Sequence, residues 1–372
     1  MIRCLHLQAC GAALAIAIGL GPSPLLAQSA PRYQIDATWP KDLPEGWITG
    51  QLGGVCMGAQ DQVYVVNRRN ITDEEKETSI SAPSIIRFDP DGNVVGSWGD
   101  DTTVPRSIHG CFVDQQGNVW VAGNADATIQ KYAPDGKLLL QIGTHGKFDS
   151  VDGTRRGKGL NAARDQLHMP AGMVVDPGNG DIYVADGYGN RRVAVFDKDG
   201  KFLRQWGRQA TDEETQKGEP GVFAQVVHCI EMSNAGLVYV CDRQGNRVQV
   251  FQKDGTFVRN IPIPNASGNL PDKRGTAWWV AFSPDREQKL LYVIEWRHRA
   301  GTHSRSRQRQ DPVELRPPRP SGRQLHPRPH AGGRFQGQRL RGGDRLGTPG
   351  TEIQDREQPL DGGISRGQGH AG

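Results

Sequence analysis

Apolar residues are scarce in this sequence, and no long apolar run compensates for the shortage. Only 36% of the 372 residues are hydrophobic, whereas 48 are glycine. The apolar stretch at residues 11–20 is too short to span a bilayer. These shortages argue against a multi-span membrane protein and against a helical bundle.

The sequence also lacks any CxxC pair, which excludes a cysteine zinc ribbon. Residues 1–30 have the pattern of a secretory signal peptide: Arg3, the apolar run, and the small residue Ala27 before a cleavage point. A retained N-terminal anchor is the alternative. With the signal removed, we expect a secreted or periplasmic protein with no membrane attachment.

Export would place the remaining cysteines in an oxidising compartment. Four of them lie outside the signal segment: Cys56, Cys111, Cys229 and Cys241. Four cysteines allow three pairings, and the sequence does not choose among them.

Four segments share one pattern, in which an aromatic-containing strand is followed by a second strand and a tight turn. The first strands begin at residues 62, 118, 181 and 237, and the turns contain Gly92, Gly136, Gly200 and Gly255. Asp-Gly dipeptides supply the positive φ angles that tight hairpins need. The pattern predicts an all-β repeat.

The spacing of these turns indicates the architecture. The four glycines lie 44, 64 and 55 residues apart, and four-stranded propeller blades repeat at roughly 40–50 residues with insertions in loops. A fifth unit begins at residues 277–284 and reaches its second strand at Leu290–Ile294. We therefore predict a β-propeller with about five recognisable blades over residues 31–296.

Two stretches carry a family resemblance. Residues 186–193 (DGYGNRRV) and 242–248 (DRQGNRV) resemble the NHL repeat. Residues 39–44 (WPKDLP) and 50–55 (GQLGGV) are similar to the entry of the peptidyl-α-hydroxyglycine α-amidating lyase branch of six-bladed NHL propellers. The resemblance covers residues 33–296 and implies an NHL-type propeller with six blades.

The pattern ends after Trp296. Residues 297–372 contain 15 Arg but no Lys, Tyr, Trp, Cys or Met, and only 12 of these 76 residues are hydrophobic. The segment carries a net charge of +8, which leaves a net charge of −4 on residues 1–296. The basic net charge of the whole chain therefore gives no reason to expect a nucleic-acid partner. An Arg-rich phosphate-binding tail and a disordered appendage are alternatives. Because the break falls inside a blade, we favour an out-of-frame segment that replaces a sixth blade.

Aligning the blades on their strands places one residue of each at the hub. These residues are Gly53, His109, Ala171, His228 and Trp278. On a six-bladed ring, histidines on blades two and four point to a shared zinc site, because neutral imidazoles are common zinc ligands. A third ligand would fall in the segment after residue 296. Structural histidines are the alternative.

The resemblance implies roles for further residues. Tyr188 would be the general base that takes a proton from the substrate's hydroxyl, and Arg68 would bind or orient the substrate. A structural calcium would be held through the backbone carbonyls of Val55 and Cys111. Without the resemblance, Tyr188 and Arg68 would be a packing residue and a surface charge.

The resemblance therefore implies a carbon–nitrogen lyase that uses zinc and releases glyoxylate, impaired when the sixth blade is missing. The alternative is a non-enzymatic NHL platform that binds a peptide or carbohydrate. In either case we expect a monomer that takes a small molecule or peptide at the mouth of the channel. A sugar lactonase is disfavoured, because no acidic residue occupies a hub position.

Overall fold

A computed structural model describes residues 33–34, 36–263, 274–295 and 313–314. The predicted signal peptide, residues 1–30, and almost all of the segment 297–372 lie outside the described residues, so both assignments stay predictions. Among the residues that are described, no helix is long and apolar enough to cross a membrane.

The described chain consists almost entirely of short strands. In chain order they are β1 (Trp47–Ile48), β2 (Leu52–Met57), β3 (Val63–Asn67), β4 (Ile80–Ser81), β5 (Ile85–Phe88), β6 (Val94–Trp98), β7 (Ile108–Val113), β8 (Val119–Gly123), β9 (Thr128–Tyr132), β10 (Leu138–Ile142), β11 (Gly172–Val175), β12 (Ile182–Asp186), β13 (Arg192–Phe196), β14 (Phe202–Trp206), β15 (Val227–Met232), β16 (Val238–Asp242), β17 (Arg247–Phe251), β18 (Phe257–Pro262), β19 (Trp279–Phe282), β20 (Leu290–Ile294) and β21 (Val313–Glu314). Two short helices, α1 (Asp73–Thr78) and α2 (Asp212–Lys217), and a 3-10 turn (Ala59–Asp61) lie in the connections.

These strands form successive antiparallel sheets that are the blades of a propeller. Blades one to four have the strand orders β2-β3-β5-β6, β7-β8-β9-β10, β11-β12-β13-β14 and β15-β16-β17-β18. A fifth sheet contains β19, β20 and β21, and β1 pairs with β4 outside the blades. The innermost strands β2, β7, β11, β15 and β19 are successive neighbours. The predicted all-β propeller is confirmed.

Turn glycines and burial explain why these segments form blades. Gly92, Gly136, Gly200 and Gly255 have φ between 85° and 94°, as the hairpin turns require. Every residue of the second strands β8, β12 and β16 is buried, because these strands lie between neighbouring blades. The outermost strand β14 instead alternates between half-buried and exposed residues.

The hydrophobic core is divided among the interfaces between blades. One cluster joins blades three and four through Val174, Tyr183 and Ile230. Equivalent clusters lie between blades two and three, one and two, and four and five. Packing between blades therefore fixes the orientation of each innermost strand, and with it the side chains at the hub.

Two disulfides pair the four cysteines outside the signal segment. Cys56 is bonded to Cys111, which joins the innermost strands of blades one and two. Cys229 is bonded to Cys241, which joins β15 to β16 inside blade four. This is one of the three pairings that the sequence left open.

Candidate active site

Two histidines meet at the hub of the propeller. His109 is the second residue of β7 and His228 is the second residue of β15. Their ring centroids lie 4.9 Å apart in an edge-to-face arrangement. The same strand position on alternate blades therefore brings both side chains to one place, as expected from the blade alignment.

The hydroxyl of Tyr188 lies between the two imidazoles. It is 2.9 Å from Nε2 of His109 and 3.0 Å from Nε2 of His228. Tyr188 follows β12 in blade three, which stands between the blades of the two histidines. Three consecutive blades thus each contribute one side chain to this triangle.

Both imidazoles are oriented through their other nitrogen. Nδ1 of His109 is 2.8 Å from the carbonyl oxygen of Ala171, and Nδ1 of His228 is 2.6 Å from that of Trp278. Because a carbonyl oxygen can only accept, both Nδ1 atoms carry a hydrogen and both Nε2 atoms carry a lone pair.

This tautomer suits a metal ion. The hydroxyl of Tyr188 has a single hydrogen and can donate it to only one of the two Nε2 lone pairs. The second lone pair faces an oxygen atom, which offers it no further hydrogen. A cation among these three atoms would satisfy both nitrogens, and Nδ1–H bonded to a carbonyl is the usual support of a histidine ligand.

Burial keeps both imidazoles neutral. Burial, and after it the positive charge of Arg68, lowers the pKa of His109 to about 4. The pKa of His228 is lowered well below its usual value, mainly by burial and then by His109 and Arg243. At neutral pH both side chains are therefore in the form that binds metals.

Two glycines let the backbone approach the histidine strands closely. A Cβ atom on Gly53 would lie 2.0 Å from the carbonyl oxygen of Ile108, the residue before His109. A Cβ atom on Gly187 would lie 2.0 Å from the carbonyl oxygen of Val227, the residue before His228. Only glycine fits at these positions, and Gly187 also sets the place of Tyr188.

Arg68 lies beside this triangle, directly after β3. Its Nε donates a hydrogen bond to the carbonyl oxygen of Ile108 at 3.0 Å, and its Nη1 donates to Oε1 of Gln51 at 3.2 Å. Arg68 lines the same cavity as His109 and Tyr188. The structure thus groups all four residues to which the sequence assigned zinc or catalytic roles.

Arg243 is a member of the site that the sequence analysis missed. Its Nη1 donates a hydrogen bond to the Tyr188 hydroxyl at 3.3 Å, and its guanidinium lies 4.7 Å from the ring centroid of Trp278. The available signal was positional, because Arg243 follows β16 just as Arg68 follows β3.

The site opens into a cavity of about 370 Å³. Arg68 and Arg274 line it together with the apolar side chains of Trp278, Trp279 and Ile294. No acidic side chain is among the described residues of its lining. The cavity therefore favours an anionic ligand that also carries an apolar group.

The two residues expected to hold calcium lie on neighbouring strands. Val55 pairs with Val65, and Cys111 pairs with Val121, so both occupy the same register position of their blades. Within the described part of the chain, no group of three or more His, Cys, Asp or Glu side chains could hold a metal ion. The calcium assignment stays a prediction.

The family model for the NHL repeat matches residues 167–196, which include the start of blade three and Tyr188. The protein is a β-propeller that carries an NHL repeat. The match covers the segment that places Tyr188 between the histidines, so this repeat contributes directly to the site.

Several curated proteins are similar to this propeller. NHL repeat-containing protein 3 from Homo sapiens is 29% identical over 228 residues, which are 60% of this chain and 57% of that protein. Peptidyl-glycine alpha-amidating monooxygenase B from Xenopus laevis is 27% identical over 57% of this chain and 24% of that protein. Peptidyl-alpha-hydroxyglycine alpha-amidating lyase 1 from Drosophila melanogaster is 29% identical over 51% of this chain and 34% of that protein. The propeller thus matches less than two thirds of each relative.

Proposed function

We propose that this protein is an exported zinc lyase that cleaves the C–N bond of an N-acyl-α-hydroxyglycine and releases an amide and glyoxylate. The carrying observation is the convergence of two unprotonated Nε2 atoms, from His109 and His228, on the hydroxyl of Tyr188. The similarity to a Drosophila protein named as an amidating lyase supports the same reaction.

His109 and His228 would hold the zinc ion through their Nε2 atoms, and a third ligand would come from outside the described residues. Zinc bound there would act as a Lewis acid that makes the substrate's hydroxyl more acidic. Val55 and Cys111 are proposed to hold a structural calcium through their carbonyl oxygens.

The substrate's charge matches the cavity. An α-hydroxyglycine carries a carboxylate, and Arg68 at the cavity wall supplies a guanidinium that can pair with it. The acyl group would then extend along the indole rings of Trp278 and Trp279. This orientation directs the hydroxyl carbon toward Tyr188.

Tyr188 would transfer the proton during cleavage. As a phenolate it accepts the proton of the substrate's hydroxyl, while the hydroxyl carbon becomes the aldehyde carbon of glyoxylate. The C–N bond breaks with its electron pair on nitrogen, and Tyr188 returns the proton to that nitrogen. The hydrogen bond donated by Arg243 stabilises the negative charge on the phenolate oxygen.

Glyoxylate release from N-benzoyl-α-hydroxyglycine tests the proposal. The zinc-loaded protein with the frame restored after residue 296 should release glyoxylate. In that protein Tyr188→Phe should lower kcat by about 100-fold or more, as expected for loss of a general base. Tyr33→Phe is the matched control, because Tyr33 contacts Tyr292 in blade five, outside the site. Equal rates for Tyr188→Phe and the unmodified protein would contradict the mechanism.

A non-enzymatic binding platform for a peptide or carbohydrate is the second candidate. It is favoured by the similarity to human NHL repeat-containing protein 3, whose name states no reaction. This candidate predicts that the protein binds no zinc and releases no glyoxylate. The same result is expected for the present sequence and for a chain with the frame restored after residue 296. Metal analysis of both chains separates the two candidates.

A further inference from the structure

Blade one is uncovered on the face that turns away from blade two. Val55, Cys111, Met173 and Ile230 occupy one register position on the innermost strands of blades one to four. Cys111, Met173 and Ile230 are at most 6% exposed, because the preceding blade packs against them, whereas Val55 is 56% exposed. The described residues supply no such blade before blade one.

The fifth sheet is uncovered on its opposite face. Ile294 is 45% exposed, although the residues at its position in the other four blades are completely buried: Val66, Ala122, Ala185 and Cys241. Val55 and Ile294 both line the cavity of the candidate site. The two apolar faces therefore border the place of one further sheet.

The genetic code relates the composition of the segment after position 296 to the composition of a blade. The segment is rich in Arg, Gly, Pro and Gln. In the genetic code, a Gly or Arg codon that is read from its second nucleotide becomes a codon beginning with G. Codons of that kind specify Val, Ala, Asp, Glu or Gly, which are frequent in the strands and turns of this propeller.

The shifted reading reproduces the inner hairpin of a blade. Blade two reads HxxxVDxxGNVxVA from His109 to Ala122. Codons 329–342, each read from the second nucleotide, can encode the same eight residues at the same spacing. At each of the eight positions, the two amino acids whose codons overlap the shifted codon restrict it to four or five residue types. The residue type found in blade two is always among them.

A second segment agrees in sequence and in spacing. Codons 348–353 in the same frame can encode RRVQKF, which parallels RRVAVF at residues 191–196 of blade three. Ala185 precedes Arg191 by six positions, and codon 342 precedes codon 348 by the same number. In the other alternative frame, which begins at the third nucleotide of each codon, no codon between 324 and 343 can encode histidine.

We propose that the coding sequence after codon 296 carries a sixth blade in the frame that begins at the second nucleotide of each codon, and that this blade fits between Val55 and Ile294. Its first strand would supply a histidine at the hub position of His109 and His228. The blade itself rests on the fold and the genetic code, and only the role of its histidine rests on the proposed function.

The nucleotide sequence tests the proposal directly. In the shifted frame, the hub histidine requires the codon CCA at Pro329. The glycine of the turn requires GGG at Gly337, and the first valine of the following strand requires CGT at Arg339. Another codon at Pro329 would overturn the histidine. Another codon at Gly337 or Arg339 would overturn the blade.

The frame-restored protein gives an independent measurement. Covering both apolar faces should raise its Tm by more than about 5 °C over the chain as written. It should also bind one equivalent of zinc, and His109→Ala in the restored chain should abolish that binding. No rise in Tm would overturn the sixth blade. A rise in Tm without zinc binding would leave the blade standing and overturn both the ligand role of its histidine and the lyase proposal.

Discussion

His109 and His228 are oriented by the same device, in which Nδ1 of each donates to the hub carbonyl of the next blade. The acceptor of His109 is Ala171 in blade three, and the acceptor of His228 is Trp278 in the fifth unit. Both acceptors occupy the hub position of their blades. The repeated blade geometry therefore places the hydrogen of each imidazole on Nδ1. Any histidine at a hub position would present Nε2 to the axis.

Zinc affinity should depend on both imidazoles. His109→Ala and His228→Ala should each weaken zinc binding more than about 10-fold, because each removes one neutral nitrogen ligand. Titration in competition with a chelator measures the affinity. His145→Ala is the control, since its ring is 65% exposed and lies beside Asp126, away from the candidate site. Unchanged affinity in the variant lacking both hub histidines would contradict the site.

Gly187→Ala should destabilise the protein and displace Tyr188. The new Cβ would lie 2.0 Å from a backbone oxygen of Val227, so the two chain segments must separate. We expect a loss of about 1–3 kcal/mol in the free energy of unfolding, measured by urea denaturation. Gly178→Ala is the comparison, because its Cβ would meet only the side chain of Asp176 at 3.3 Å. Equal effects of the two substitutions would argue against this close contact.

The sequence predicted the blades well because each blade carries its own signals. The Asp-Gly turns marked the hairpins, and the structure places Gly92 and Gly136 at positive φ as those turns require. The third strand of the fifth sheet, β21, was not expected, because residues 313–314 stand outside any repeat pattern.

Parts of the site could be predicted and parts could not. His109 and His228 share a strand position, so aligning the blades found them. Arg243 was missed although its position after β16 matches that of Arg68 after β3, because its contact with Tyr188 depends on how blades three and four pack. The disulfide pairing was undetermined for a related reason: the proximity of Cys56 and Cys111 depends on how two blades pack.

The two disulfides should contribute unequally to stability. The loop closed by Cys56 and Cys111 spans 55 residues, whereas the loop closed by Cys229 and Cys241 spans 12. Loop-closure entropy predicts losses of about 4 kcal/mol and about 3 kcal/mol for the paired serine variants. Denaturant titration of both variants under oxidising conditions compares them. A larger loss for the shorter loop would show that packing next to His228, rather than chain entropy, decides the effect.

Glu231 should make the propeller less stable as the pH rises. Its side chain lines a cavity of about 560 Å³ at the ends of the innermost strands β2, β7, β11 and β15, together with Asp114 and Asp176. Lys131 and Lys253 are paired with those two aspartates. Burial raises the pKa of Glu231 to about 8 from its ordinary 4.5.

The folded protein therefore holds a proton on Glu231 that the unfolded chain releases above about pH 4.5. Stability should fall between about pH 4.5 and pH 8 and then level off, with a total loss of up to about 5 kcal/mol. Glu231→Gln keeps the shape without the charge, so its free energy of unfolding should lack this slope. Glu287→Gln, at an exposed carboxylate, should retain the slope. Parallel pH profiles for Glu231→Gln and the unmodified protein would mean that Glu231 ionises without loss of stability, because water in the cavity that it lines solvates the charge.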